Sequence, residues 1–166
     1  MSTHELTIRG ARDEDWPALW PILRQVIRAG ETYAIDRQIS EGAARALWLT
    51  APRACYVAER DGRILGTFYI KTNHAGGGAH VCNCGYIVDE AARGQGVAAA
   101  MCAHSQAEAL TLGYLAMQFN LVLATNTDAL RLWQRMGFDI VGTLPRAFDH
   151  PQAGLVDAHV MWKWLV

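Results

Sequence analysis

The sequence predicts a mixed α/β (α+β) fold in which about seven strands form a mostly antiparallel central sheet with about four helices packed on it. Three observations carry that expectation. Runs with two-residue alternation or high β-propensity occur at 5–9, 55–59, 63–71, 80–88, 115–123, 138–144 and 156–165. Segments with helical spacing or composition fall at 13–30, 40–49, 95–112 and 126–136, most of them closed by a glycine. The order is also uneven: three strands in succession precede the central helix and one follows it at once, so a single right-handed β-α-β crossover sits among antiparallel connections. At 166 residues the chain is expected to form one domain, 1–166, with a substantial core.

In the first strand Leu6 and Ile8 alternate with polar neighbours. Asp13 stands at an expected helix N-cap, Pro17 is tolerated in the first turn, and Trp16, Leu19, Trp20, Leu23 and Ile27 recur at helical spacing up to Gly30. Residues 31–35 lead to a second helix that opens at Ser40, with Glu41 beside its positive end, and finishes near Leu49, ahead of Pro52. Asp61 and Gly62 join the next two strands as a tight hairpin, and a turn holding three consecutive glycines leads into the run at 80–88. The last two strands are expected to be joined by a long loop, 145–155, carrying Pro145, Pro151 and Gly154 and placed to cover a pocket.

The rest of the chain is organised around residues 85–107. There the apolar run Tyr86, Ile87, Val88 ends, Arg93-Gly94-Gln95-Gly96 makes a turn, and an alanine-rich helix begins at Val97 and Ala98. The first amides of a helix have no intrahelical acceptor and carry the positive end of its dipole, so phosphates bind there. Gly94 and Gly96 let the backbone approach an anion closely, and Arg93 adds a fixed charge. Neither a P-loop nor a G-x-G-x-x-G fingerprint is present.

Composition excludes other classes. A formal net charge of −1 gives no basic footprint for nucleic acid. No apolar run reaches the roughly 18 residues of a membrane span, and the first ten residues lack the features of a signal peptide, so a cytoplasmic protein without a membrane partner is expected. Cys82 and Cys84 are not spaced as C-x-x-C, and with Cys55 and Cys102 they are expected to be reduced, packed thiols. No metal site is expected; His74 and His80, beside the glycine turn, are expected to face solvent.

Arg93, Gly96 and Ala98 match R/Q-x-x-G-x-G/A, and with the segment 126–138 (NTDALRLWQRMGF) and the order of elements they resemble the GNAT superfamily of N-acetyltransferases over nearly the whole chain. The pieces at 80–88 (HVCNCGYIV), 118–126 (QFNLVLATN) and 142–151 (GTLPRAFDHP) are similar to the fungal and bacterial branch that acetylates small amino acids and cyclic imino-acid analogues. The resemblance implies acetyl-CoA as cosubstrate and a sheet splayed between 80–88 and 115–123. Pantetheine would lie in the gap against backbone groups of Ile87 and Val88, and the diphosphate on Arg93, Gly94, Gln95, Gly96, Val97 and Ala98. The Val88 amide would stabilise the oxyanion as a neutral amine attacks the thioester.

Where many relatives carry a tyrosine acid, this chain has Trp133, whose indole is no usable acid. Asn126 and Asn120 are therefore the expected groups for orienting the sulfur or the nucleophile, and for Asn126 a helix N-cap role can coexist with that one. Asn83 and Asn120, with Glu31 and Tyr33 of the linking stretch, are the expected acceptor contacts. The acceptor is expected to be a small amine or amino acid. A peptide N-terminus and a non-catalytic acyl-CoA-binding module remain as alternatives, and a homodimer using the apolar last strand is left open.

Overall fold

Residues 5–166 are described by the structure, a computed structural model. The chain runs β1 (Thr7–Gly10), α1 (Trp16–Ala29), α2 (Glu41–Arg45), β2 (Ala54–Arg60), β3 (Arg63–Thr72), β4 (Val81–Val88), α3 (Val97–Thr111), β5 (Ala116–Leu123), α4 (Thr127–Arg135), β6 (Asp139–His150) and β7 (Gly154–Trp164). Among the described residues the seven strands form one sheet in the order β1-β2-β3-β4-β5-β7-β6, antiparallel throughout except where β4 meets β5. The sequence-based reading of the first ten residues falls in part on residues 1–4, outside those described. No described helix is long and apolar enough to cross a membrane.

Local signals explain most boundaries. Asp61 (φ +54) and Gly62 (φ +73) both take the left-handed conformation that a two-residue hairpin needs. Gly30 ends α1 in the same region, at φ +68. Ser40 caps α2 by accepting from the Ala43 amide at 3.2 Å, and the helix continues as a turn of π-helix over Ala46–Thr50. Asp13 does not cap α1: it opens a short 3-10 turn, Asp13–Asp15, and the helix proper starts at Trp16.

Two apolar layers enclose the sheet. On one face Leu19, Leu23 and Ile27 of α1 pack with Trp48, Val57 and Ile87. On the other, Met101 and Cys102 of α3 pack with Phe68, Tyr86, Phe119, Trp133 and Phe138. Trp164 is 56 % exposed at the end of β7, where it stacks beside His80. All four cysteines are free thiols, and Cys82, Cys84 and Cys102 are buried.

The stretch at 145–155 is not a loop. β6 extends to His150 and pairs with β7 as far as His150 opposite Gly154, so these residues form the end of an exposed hairpin. Pro145 is accommodated because the register shifts between Leu144 and Phe148 and β6 is an edge strand, where a missing N–H costs no ladder bond. Arg146 takes φ +52, and its amide donates to Asp157 Oδ1 at 2.9 Å.

An ion-paired cluster ties β1, α1 and β2 together. Arg9 donates to both carboxylate oxygens of Asp15, at 2.8 and 2.9 Å, and to Glu59 at 2.9 Å; Asp15 also accepts from the Arg12 amide at 2.7 Å. These hydrogen bonds, those from Arg9 foremost, hold the Asp15 carboxyl below its usual pKa against the opposing effect of burial. Asp15→Asn is expected to destabilise the protein by about 1–3 kcal/mol at neutral pH. A depressed folded-state pKa gives stability that is present above the unfolded value and lost as pH falls through the folded one. The gap between variant and parent should therefore close on acidification, which urea melts at neutral and acidic pH would show.

Candidate active site

Between β4 and β5 the sheet opens. Their parallel pairing covers Val81 with Ala116 and Cys82 with Met117, and no further position among the described residues. At the next step a side chain replaces the backbone: Asn83 Nδ2 donates to the Gln118 carbonyl at 2.9 Å. This buried amide ends the ladder, and beyond it the strands part.

Alternation in the antiparallel β3–β4 ladder fixes what β4 presents to the gap. The Tyr86 amide donates to Tyr33 Oη at 2.8 Å, and that hydroxyl donates back to the Tyr86 carbonyl at 2.5 Å. Both backbone groups of Tyr86 therefore point away from β3. Cys84 and Val88 share this parity and face the gap as well. Ile87, opposite Thr67, has the other parity, so its amide and carbonyl lie on the β3 side. The expectation that Ile87 offers backbone groups to the cleft is corrected on that ground: it contributes a buried side chain beneath α1.

At the end of β4 the chain makes a 3-10 turn, Glu90–Ala92, and Arg93 is extended. Gly94 (φ +74) and Gly96 (φ +79) are left-handed, and α3 starts directly after Gly96 with no side chain capping it. A Cβ added at either glycine would meet no atom within 4 Å, so these glycines supply conformation and open approach. Gln95 steadies the turn by donating to the Ala91 carbonyl at 3.2 Å. Val97 is buried and anchors the helix, Ala98 is half-buried, and residues 93–96 are exposed. The uncapped amides of a 15-residue helix and the Arg93 charge suit a phosphate.

Beside the gap lies a cavity of about 540 Å³, a size that takes small ligands. Residues 32–36 of the α1–α2 connection and Trp48 line one side; Tyr69, Lys71 and Asn83 line another; Asn120, Asn126 and Trp133 line a third. Tyr33, Asn83, Asn120 and Asn126 are thus brought together. Glu31 is not part of the lining, a correction that follows from the connection turning inward only after it. The 145–155 hairpin contributes nothing to the lining either, so the cover comes from the α1–α2 connection.

Burial pushes the Tyr33 phenol and the Cys84 thiol well above their usual pKa values, so neither ionises near neutral pH. Asn126 caps α4, its Oδ1 accepting from the Ala129 amide at 3.3 Å, and still lines the cavity. Asn120 is held at both ends: Gln118 Nε2 donates to its Oδ1 at 2.9 Å, and its Nδ2 donates to Asn73 Oδ1 at 2.8 Å. Trp133 packs against Tyr86 and Phe119, with ring centroids 5.0 and 5.1 Å away.

Sequence reasoning missed Lys71 and Asn73. Lys71 lies opposite Asn83 in the β3–β4 register, with its ammonium 5.4 Å from the Tyr69 ring centroid. Asn73 follows on the same face by the two-residue period, and its Nδ2 is buried without a partner. The signal was the Tyr69, Lys71, Asn73 alternation running toward the glycine turn. A second concavity, about 510 Å³ between α1 and the β2–β3 turn, is lined by the cluster in which Arg9 bonds the carboxylates of Asp15 and Glu59. Among the described residues no group of three or more His, Cys, Asp or Glu is placed to hold a metal ion.

A strand pair that parts beside an uncapped helix N-terminus, with a small covered cavity at the gap, defines a class: enzymes that hold an extended phosphate-bearing acyl carrier against a strand edge. The chain belongs to the GNAT acetyltransferase family, whose model matches residues 12–138. It is 30% identical over 151 residues to N-acetyltransferase aca1 of Schizosaccharomyces pombe, covering 81% of this chain and 72% of that protein. Among solved structures it is similar to a GCN5-related N-acetyltransferase from Kribbella flavida, with 44% identity, a TM-score of 0.91 and coverage of 96% and 97% of the two chains. A phosphinothricin acetyltransferase from Sinorhizobium meliloti, solved in complex with acetyl-CoA, shares the fold at 18% identity, with a TM-score of 0.86 and coverage of 96% and 88%.

Proposed function

We propose that the protein transfers acetyl from acetyl-CoA to the amine of a small molecule, with an amino acid as the favoured acceptor. The observation that carries this is the gap itself: β4 keeps the backbone groups of Cys84 and Val88 unpaired toward a space that ends, along the chain, at the anion-binding turn. A strand edge left open inside a protein calls for a partner that pairs like a strand, and the amides of pantetheine do so. Acetyl-CoA supplies an activated thioester. The Val88 amide stabilises the negative charge that develops on the carbonyl oxygen, and residues 93–98 hold the diphosphate.

In the reaction the amine's lone pair forms the new C–N bond, the C–S bond breaks, and the electron pair leaves with the thiolate. The ammonium proton passes to solvent, since Tyr33 and Cys84 stay protonated and Trp133 cannot accept it. Asn83, Asn120 and Tyr33 orient the acceptor, and Asn126, at the start of α4, lies among the groups that orient the sulfur. The covered cavity favours a small acceptor over a peptide terminus.

Among the described residues Lys71 and Asp36 are the only charged side chains lining the cavity, and Lys71 has no ion-pair partner. An acceptor with an acid group places it there. The test is release of free thiol from acetyl-CoA across a panel of amines with and without a carboxylate. No turnover above buffer with any amine defeats the proposal. Lys71→Met is expected to raise KM about fivefold for carboxylate-bearing amines, the size of a surface charge pair of about 1 kcal/mol, and to leave neutral amines unchanged.

A further inference from the structure

The turn before α3 gathers more positive charge than its own residues carry. Arg60, the last residue of β2, faces Arg63 directly across the hairpin, and like charges in that register repel. Only one of them has a counter-ion: Arg63 Nη2 lies 2.8 Å from Asp89 Oδ2. Arg60 makes no ion pair with any described residue. Its Nη1 donates to Gln95 Oε1 at 3.1 Å, and its Nε is buried with no hydrogen-bond partner.

Gln95 lies between the two left-handed glycines and is fixed in turn to the Ala91 carbonyl. One side chain therefore ties the Arg60 guanidinium to the middle of the turn. The carboxylates nearby are engaged elsewhere: Asp89 with Arg63 and the Ala91 amide, Glu90 with Gln25, Glu59 with Arg9. Two arginines without ion pairs, Arg60 and Arg93, thus stand beside the uncapped positive end of α3. Such an accumulation is unfavourable alone and favourable once an anion arrives.

We propose that Arg60 is a phosphate-binding residue of the coenzyme A site, a second cation beside Arg93 that Gln95 holds in place. This rests on the acetyl-CoA reading above. A guanidinium has five donors in a planar fork; the Gln95 contact occupies one, the Nε donor is buried, and the remaining Nη donors match phosphate oxygens.

The test is Arg60→Gln, which removes the charge and keeps a polar side chain, read with two acetyl donors. Acetyl-CoA carries the phosphates; acetyl-pantetheine has the same thioester arm without them. The variant is expected to bind coenzyme A about tenfold more weakly by calorimetry, as for the loss of a hydrogen bond to a charged group, with a shallower salt dependence. With acetyl-pantetheine its rate should equal the parent's. Unchanged coenzyme A affinity overturns the proposal, as does an equal loss with both donors, which would mark a structural role. Arg63→Gln, which removes the arginine already paired with Asp89, should bind coenzyme A as the parent does; a matching loss there would reduce the effect to general surface charge and overturn the assignment. If Arg60→Gln does not fold, Arg60→Lys is read the same way, with a smaller loss confined to acetyl-CoA expected. A parent protein that binds no coenzyme A defeats the acetyl-CoA reading itself, whereas binding by the parent with an unaltered variant defeats only Arg60.

Discussion

Gly96→Val is expected to give a folded protein that no longer binds coenzyme A at working concentrations. Gly96 has φ +79, where a side chain costs about 1–2 kcal/mol and a β-branched one more. The structure around it is otherwise tolerant, since an added Cβ meets no protein atom within 4 Å. That open space is the approach to the first amides of α3. Two methyl groups there hold a diphosphate away from donors that act only at hydrogen-bond distance, so affinity should fall by about 100-fold or more. Calorimetry beside a thermal melt separates the two effects. A Gly96→Val protein with native affinity would remove the anion role from residues 93–98. Gly96→Ala should show the strain with a milder affinity loss.

The second large effect is expected at Tyr33. Its hydroxyl serves the amide and the carbonyl of Tyr86 together, and Tyr33→Phe keeps the ring against Trp48 while leaving both groups unpaired. Each orphaned backbone group costs about 1–3 kcal/mol where water cannot replace the partner; the cavity admits some water, so a stability loss of about 2 kcal/mol is expected. Since Tyr33 lines the acceptor cavity with Asn83 and Asn120, kcat/KM for the acceptor should fall about tenfold or more, with a smaller loss of coenzyme A affinity. Steady-state kinetics with the acceptor varied, beside calorimetry with coenzyme A, checks this split. Equal losses in both would place Tyr33 in the cofactor arm instead.

The fold was legible because its punctuation is local. Asp61-Gly62, Gly30, Ser40 and the Arg93-to-Gly96 turn each state a backbone conformation that neighbouring residues do not contest. The 145–155 stretch was not legible: its prolines and glycine read as loop, and only pairing with β7 reveals a strand whose edge position and register shift accommodate Pro145. The site divides along the same line. Asn83, Asn120 and Asn126 lie within segments whose pattern resembles a family, and they line the cavity; Lys71 and Arg60 lie on ordinary strands and Asn73 just past the end of β3, and what they face across a register or a turn is not written locally. Ile87 and Glu31 show the limit from the other side. Each is one residue from a position that faces the gap or the cavity, and neither ladder parity nor the inward turn of a connection is written in composition.

The short contact between β4 and β5 has a mechanical consequence. Two rungs and the Asn83 side chain are the main polar stitching between the two halves of the sheet, and apolar packing across α3 and α4 carries the remainder of that seam. Whatever slides into the seam and bonds to the rim of β4 acts as a missing structural member as well as a reactant. Occupancy and stability are then two readings of one equilibrium: each tenfold rise in free carrier above its dissociation constant is expected to raise the unfolding free energy by about 1.4 kcal/mol.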